Sequence, residues 1–428
     1  MRRTLVAGIV LGGLLLAGLL TGVNVQGAPP DPRLVRDEAK FAAAQEILQR
    51  RTDAVVRGDR ELWLADLDPR AQEFRAQQEV VWDNLQQLRP AAIGYELQPV
   101  ALDLPDAEAR YGAPTFTPAV VFRYRLDGLD AGNVARPMAP TFVLRGGTWR
   151  LASEADAVDR IPAGAEAEPW LRVPVEVHRR GSVLLLTDVG DERSDQLLAT
   201  AESALAEVRA VVPAAATPGL VLYATSDSQS LTTYLDPTAG QRLEWVKAAA
   251  VPTFAEVEEW LDEEPAGSAT GSRIVWNQTT LPVTDPTFDR VIVHEATHAA
   301  THALVTDEAP RWVVEGYAEW VAYRDRPEAR RVDADFERAL GDPGFPSRLP
   351  GDGRFFLGPQ TLNYTISWQA NRYIAERFGE GALNEIFVRL ARINDKAETG
   401  AQQKQAFAEV LGVSEPELLA DFRSWLRT

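Results

Sequence analysis

The sequence predicts an α+β protein: an N-terminal α+β cone, with helices on a curved antiparallel sheet, followed by a mainly α-helical domain with a small sheet. Three observations carry that expectation. Hydrophobic spacing switches from helical period to strand alternation near residue 95. Residues 155–169, rich in Ala, Asp, Glu, Gly and Pro, then read as a linker between residues 34–154 and residues 170–428. From residue 285 onward helical spacing returns and dominates to the end. At 428 residues the chain exceeds a typical single domain, and 45% hydrophobic with 25% charged residues is the composition of a folded protein.

The formal net charge of −18 opposes phosphate backbones and anionic lipid surfaces, so no nucleic-acid partner is expected. With no cysteine, disulfides, thiolate metal sites and cysteine nucleophiles are excluded. Any metal chemistry must use His and carboxylates. Arg2 and Arg3 precede an almost purely apolar run over residues 5–20, followed by small residues up to Gly27 and Ala28. Residues 1–28 therefore read as a signal peptide or an N-terminal membrane anchor, which puts the rest outside the cytoplasm, secreted or held on the outer face of the membrane.

In the N-terminal part, Leu34, Val35, Phe41, Ile47, Leu48, Val55 and Val56 recur at helical spacing until Gly58-Asp59 breaks it. A second helical piece passes through Trp63 and Leu64, Asp68-Pro69 turns the chain, and residues 73–88 form a third helix that stops ahead of Pro90. Residues 95–104, 119–126, 139–145 and 148–152 alternate as strands, the last two joined by a tight turn at Gly146-Gly147. No histidine and no acid–base pair stands out here, so a packing or docking role is the expectation.

Past the linker, residues 173–178 and 183–187 read as paired strands, 195–212 as an amphipathic helix and 220–224 as a strand. His178 alternates with Val175 and Val177 and reads as structural. Residues 226–235 and 241–250 read as helix or loop, 265–271 as a flexible connection, and Arg273 to Asn277 as a short strand. A Pro/Gly-rich stretch over 333–361 reads as a loop over the cleft, and 361–377, 383–393, 402–411 and 415–425 as helices stopped by Gly379 and Gly412.

Three of the four histidines fall in nine residues, His294-Glu295-Ala296-Thr297-His298-Ala299-Ala300-Thr301-His302. Asp285 can cap this helix and Pro286 suits its first turn. His294 and His298 lie one turn apart on one face and can share an ion, with zinc the expected metal. Glu295, about 100° round the helix, can take a proton from bound water without being a ligand. His302 lies roughly 12 Å along the axis from His294, too far to join the same ion. Glu315 is the better third ligand, because Trp312/Val313, Gly316/Tyr317 and Trp320/Val321 mark a buried helix with Glu315 and Glu319 on the neighbouring stripe. Gly316 suggests a close approach of this helix to the first. Glu319 can accept from the far nitrogen of His294 and fix its tautomer.

His294-Glu295-x-x-His298 followed by Trp312-x-x-Glu315-Gly316-x-Ala318 resembles the gluzincin metallopeptidases, over roughly residues 170–428. The resemblance implies an exported zinc-dependent peptidase acting on peptide or protein substrates, with His294, His298 and Glu315 on the metal and Glu295 as general base. It extends to Asn363-Tyr364-Thr365-Ile366-Ser367-Trp368 and implies that Tyr364 donates a hydrogen bond to the developing oxyanion. It also implies that the Arg273–Asn277 strand lines the cleft, pairs with extended substrate and turns Asn277 towards it. Residues 34–154, through Ala54-Val55-Val56-Arg57-Gly58-Asp59-Arg60, the Asp-Pro and the final Gly-Gly-Thr-Trp-Arg, resemble the nuclear-transport-factor-two-like superfamily. The alternative is an extracytoplasmic binding or assembly protein whose zinc site is structural or vestigial.

Overall fold

A computed structural model describes residues 38–161, 168–188, 193–212, 217–225, 246–257, 269–326, 334–351, 353, 355–356 and 360–428. The apolar segment 1–28, residues 226–245 and the start of the 265–271 connection lie outside them. The N-terminal helices are α1 (Glu38–Arg57), α2 (Arg60–Ala65) and α3 (Gln72–Leu88). Asp59 caps α2 by accepting from Leu62 N–H at 3.0 Å.

They cover a five-stranded antiparallel sheet of β1 (Ala92–Leu102), β2 (Thr115–Arg125), β3 (Val134–Met138), β4 (Thr141–Arg145) and β5 (Thr148–Ser153), with the short α4 (Ala107–Tyr111) between β1 and β2. β2 is the hub. Its start pairs with β4, its latter half pairs with β3, and β1 runs along it. The β4–β5 turn is as expected: Arg145 faces Thr148 across Gly146 and Gly147, both at positive φ (57° and 84°). β3 was not legible as a strand, because its Arg136 and Pro137 break the apolar pattern.

The second sheet has the order β6-β7-β8-β10-β9, built from β6 (Glu176–Arg180), β7 (Val183–Thr187), β8 (Leu220–Thr225), β9 (Ala248–Phe254) and β10 (Ala269–Asn277). β7, β8 and β10 are mutually parallel, whereas β6 and β9 run antiparallel at the edges. Two expectations are corrected. Residues 248–250 belong to strand β9 and not to a helix or loop, and residues 269–271 open β10 and are not a flexible connection.

Alternation along these strands divides the core. Leu185, Leu222, Ala250, Ile274 and Trp276 pack under α5 (Ser194–Val211) and the helices that follow it. Leu184, Leu186, Tyr223, Val251 and Val275 pack instead against the N-terminal region, with Trp82, Phe122, Tyr124 and Trp170. The sheet is thus covered on both faces, by two different parts of the chain.

The remaining helices are α6 (Phe288–Thr301), α7 (Arg311–Tyr323), α8 (Ala334–Ala339), α9 (Gln360–Phe378), α10 (Glu380–Ala391), α11 (Thr399–Ala406) and α12 (Glu415–Trp425). Gly379 and Gly412, at φ 92° and 70°, end α9 and the turn after α11 as expected. Asp285 does not cap α6. Its Oδ1 accepts from Thr287 N–H (2.7 Å) and Oγ1 (2.6 Å), closing a turn ahead of a helix that starts at Phe288. Among the described residues no helix is long and apolar enough to cross a membrane.

Candidate metal centre

Every residue of α6 except Asp289 is buried, which an isolated amphipathic helix would not show. Its apolar side, with Val291, Ile292, Ala296 and Ala300, rests on the sheet and α5, and this leaves its histidines facing α7. Gly316 permits a close approach, but to α9 and not to α6. A Cβ on Gly316 would stand 2.3 Å from Asn371 Nδ2 and 2.4 Å from the Ser367 carbonyl oxygen. α7 is pressed against α9 there and carries Glu315 into the centre.

His294 Nε2 and His298 Nε2 lie 3.0 Å apart, and Glu315 Oε2 is 3.5 Å from the first and 3.3 Å from the second. Donors bound to one ion at about 2.0–2.1 Å in a tetrahedron stand roughly 3.3–3.4 Å from one another. The three atoms therefore match three corners of a tetrahedral metal site. These residues are the one His/Cys/Asp/Glu group among the described residues that can hold a metal ion. Both Glu315 oxygens are buried without a hydrogen-bond partner, which a cation between the three side chains would remedy.

Burial disfavours charge on His294, but the Glu315 and Glu319 carboxylates outweigh it and push its pKa up to about 10 in the metal-free protein. Burial likewise opposes the Glu315 charge and is overcome by His298 and His294, which hold its carboxyl well below the usual range. His298 is lowered, chiefly by burial. A proton and a cation would thus compete for one basic pocket.

Glu295 is fully buried beside the trio. Its Oε2 accepts from the Ala250 backbone N–H at 2.8 Å, while Oε1 has no partner. Burial is the main cause that pushes its carboxyl up to about 8, and Glu315 adds to it. Glu319 Oε1 stands 3.3 Å from His294 Nδ1, and its Oε2 stands 3.5 Å from Arg290 Nη1. Tyr364, on α9, is buried with its ring 6.5 Å from that of His294, and packs on Phe355. The structure therefore brings together His294, Glu295, His298, Glu315, Glu319 and Tyr364.

Asn277 is not brought in as expected. It is buried at the end of β10, where its Oδ1 accepts from the Thr279 and Thr280 N–H groups at 2.9 and 3.3 Å. β10 lies between β8 and β9, so both its edges are taken and it cannot pair with another chain. The outermost strand on that side, among the described residues, is β9. His302 is buried, with Nδ1 3.1 Å from Ser272 Oγ and its ring stacked on His298 at 6.4 Å, and burial lowers its pKa to about 3. His178 sits in β6 beside Glu176, far from the centre in sequence and in sheet order.

Two residues that touch the centre were missed from sequence. Arg290 stands four residues before His294 on the same helix face, a spacing that could have flagged it. Ala250 acts through its backbone, for which side-chain identity carries no signal. No family model matches the chain, and no curated protein matches it.

Proposed function

We propose that the protein is an exported zinc-dependent peptidase of gluzincin type, with its metal on His294, His298 and Glu315, its general base at Glu295, and a nuclear-transport-factor-two-like cone ahead of it. The observation that carries the reading is a tetrahedral-spaced donor trio beside a buried carboxylate with one oxygen fixed and the other unpartnered. Two imidazoles, one carboxylate and no thiolate favour zinc. When bound, such an ion supplies the Lewis acidity that brings the pKa of water towards neutrality.

The chain's own residues divide the remaining work. Glu295 Oε1 takes up a proton from water and returns it to the leaving amine, and the Ala250 N–H keeps the carboxylate from turning away. Glu319, with Arg290 beside it, keeps a proton on His294 Nδ1 and so leaves Nε2 directed at Glu315 and His298. Tyr364 donates to the developing oxyanion. Extended substrate pairs with β9, the outer strand among the described residues, and residues 1–28 direct export.

Metal analysis of the purified protein beside His294→Ala and Glu315→Ala, followed by peptide hydrolysis with wild type and Glu295→Gln, tests this. About one zinc per chain is expected, lost in both ligand variants. Glu295→Gln should keep the metal and lose about 10²–10⁴ in turnover; full activity in that variant, or a protein that binds no zinc, sinks the proposal. One observation favours a second reading, a structural zinc site in a binding protein: His294, Glu295, His298 and Glu315 are each no more than 1% exposed. Inhibition by a small hydroxamate separates the two, since a closed structural site offers no open coordination position.

A further inference from the structure

Alternation along β10 sends Ser272 and Arg273 to opposite faces of the sheet. Ser272 faces α6 and meets His302. Arg273 enters the N-terminal region, where its Nη1 donates to Asp130 Oδ1 at 2.7 Å and its Nη2 to Asp130 Oδ2 at 3.2 Å and Tyr124 OH at 3.0 Å. Glu168 stands 3.8 Å from Arg273 Nε and accepts from Arg136 Nη2 at 2.9 Å and from the Tyr124 hydroxyl. Two guanidinium groups balance two carboxylates, and none of the five residues is more than 7% exposed.

Further bonds fasten the same strands. Ala131 N–H donates to the Thr270 carbonyl at 2.7 Å, Thr270 Oγ1 donates to the Asn133 carbonyl at 3.2 Å, and Arg123 donates to the Ala255 carbonyl just beyond β9. Position 271 must be glycine for this to happen, since a Cβ there would stand 2.4 Å from Asp130 Oδ1. Arg273 lies opposite Val251 on β9, and the residue before it, Ala250, is the one whose N–H holds Glu295.

We infer that Asp130 and Arg273 are positioning residues for Glu295: the N-terminal region grips the β9–β10 pair through them, and β9 in turn sets the carboxylate through Ala250 N–H. The inference rests on Glu295 being the general base. It makes the N-terminal region part of the catalytic apparatus and not an appended docking module. A buried ion cluster is a poor source of stability compared with apolar packing, so its worth lies in fixing one register of two parts of the chain.

Hydrogen exchange at the Ala250 amide, followed in the full-length zinc-loaded protein, reads this contact without reference to turnover. In Asp130→Asn, exchange at Ala250 should rise by about tenfold or more while α6 keeps its protection and the zinc content is unchanged. Wild-type exchange at Ala250 in that variant overturns the inference. Should Asp130→Asn fail to fold, Tyr124→Phe, which removes only one hydroxyl from the cluster, decides by the same measurement: faster exchange at Ala250 supports the inference and a wild-type rate overturns it. In the variant that folds, kcat/KM should fall about tenfold or more, because β9 both holds Glu295 and pairs with extended substrate; wild-type kcat/KM beside faster Ala250 exchange would overturn the catalytic part of the inference. A wild-type protein that binds zinc and hydrolyses no peptide would remove the peptidase reading, and the exchange result would still decide whether the N-terminal region sets Glu295.

Discussion

Two charged clusters lie on opposite faces of the same sheet, both fully buried, and they differ in how far their polar atoms are satisfied. Around Arg273, Asp130, Glu168, Arg136 and Tyr124, charge is balanced and nearly every donor finds an acceptor. Around His294, His298, Glu295 and Glu315 it is not. Both Glu315 oxygens, Glu295 Oε1 and His294 Nδ1 lack hydrogen-bond geometry to any partner, and donors crowd to 3.0–3.5 Å instead. Burial is equal in the two places, so burial is not what marks a site. A completed network reports structure, whereas an incomplete one held rigid at metal-ligand spacing is a place that can hold a cation.

The comparison can be broken by removing one carboxylate from each cluster. Asp130→Ala strands Arg273 in a buried place, and a loss of about 3–5 kcal/mol of stability is expected, read as a lower urea midpoint at unchanged slope. Glu295→Gln should behave differently in the metal-free protein. Burial holds its carboxyl up to about 8, so at neutral pH the group is mostly protonated and the amide replaces it nearly in kind. A stability change within about 1 kcal/mol is expected there. Equal losses in the two variants would show that the clusters are alike in how their charge is satisfied.

Much of this contrast was legible in sequence on one side and not on the other. Two histidines four apart with a glutamate between them declare a helix with two ligating groups on one face because helical geometry is local, and Trp312 to Trp320 declare its partner for the same reason. The Gly146-Gly147 turn was equally local. What failed depended on distant pairing. Ala248-Ala249-Ala250-Val251-Pro252 has weak strand propensity, and it becomes β9 only because β10 lies beside it. That pairing moves β10 to the interior of the sheet and leaves Asn277 buried at its end. Nor could alternation in Ile274 and Val275 reveal that one faces α6 while the other faces Trp170 and Tyr124.

Glu319 sharpens the comparison from within the metal centre, because it is the one carboxylate there with a cation of its own. With Arg290 at 3.5 Å and His294 Nδ1 at 3.3 Å it joins an ordinary ion pair to the unsatisfied trio. Glu319→Gln should weaken metal binding by about 10–100-fold, leaving stoichiometry intact at high zinc. A competition titration against a chromophoric chelator measures it, and wild-type affinity would place Glu319 among the structural groups.

The test that probes the electrostatics most directly is the pH dependence of metal affinity. Glu315 and Glu319 overcome burial to raise His294 to about 10, so the metal-free protein carries a proton on His294 throughout the neutral range. A metal ligand must be neutral imidazole, so binding expels that proton, and affinity rises with pH below about 10 and falls as pH drops. The slope should be at least tenfold per pH unit between pH 6 and 8, about 1.4 kcal/mol for each unit. Calorimetry in buffers of different ionisation enthalpy counts the released proton independently. His302, lowered to about 3 by burial, stays neutral over this range, so His302→Gln should leave the slope unchanged. An affinity flat with pH would mean that His294 is already neutral before the metal arrives, and that Glu315 and Glu319 do not govern it.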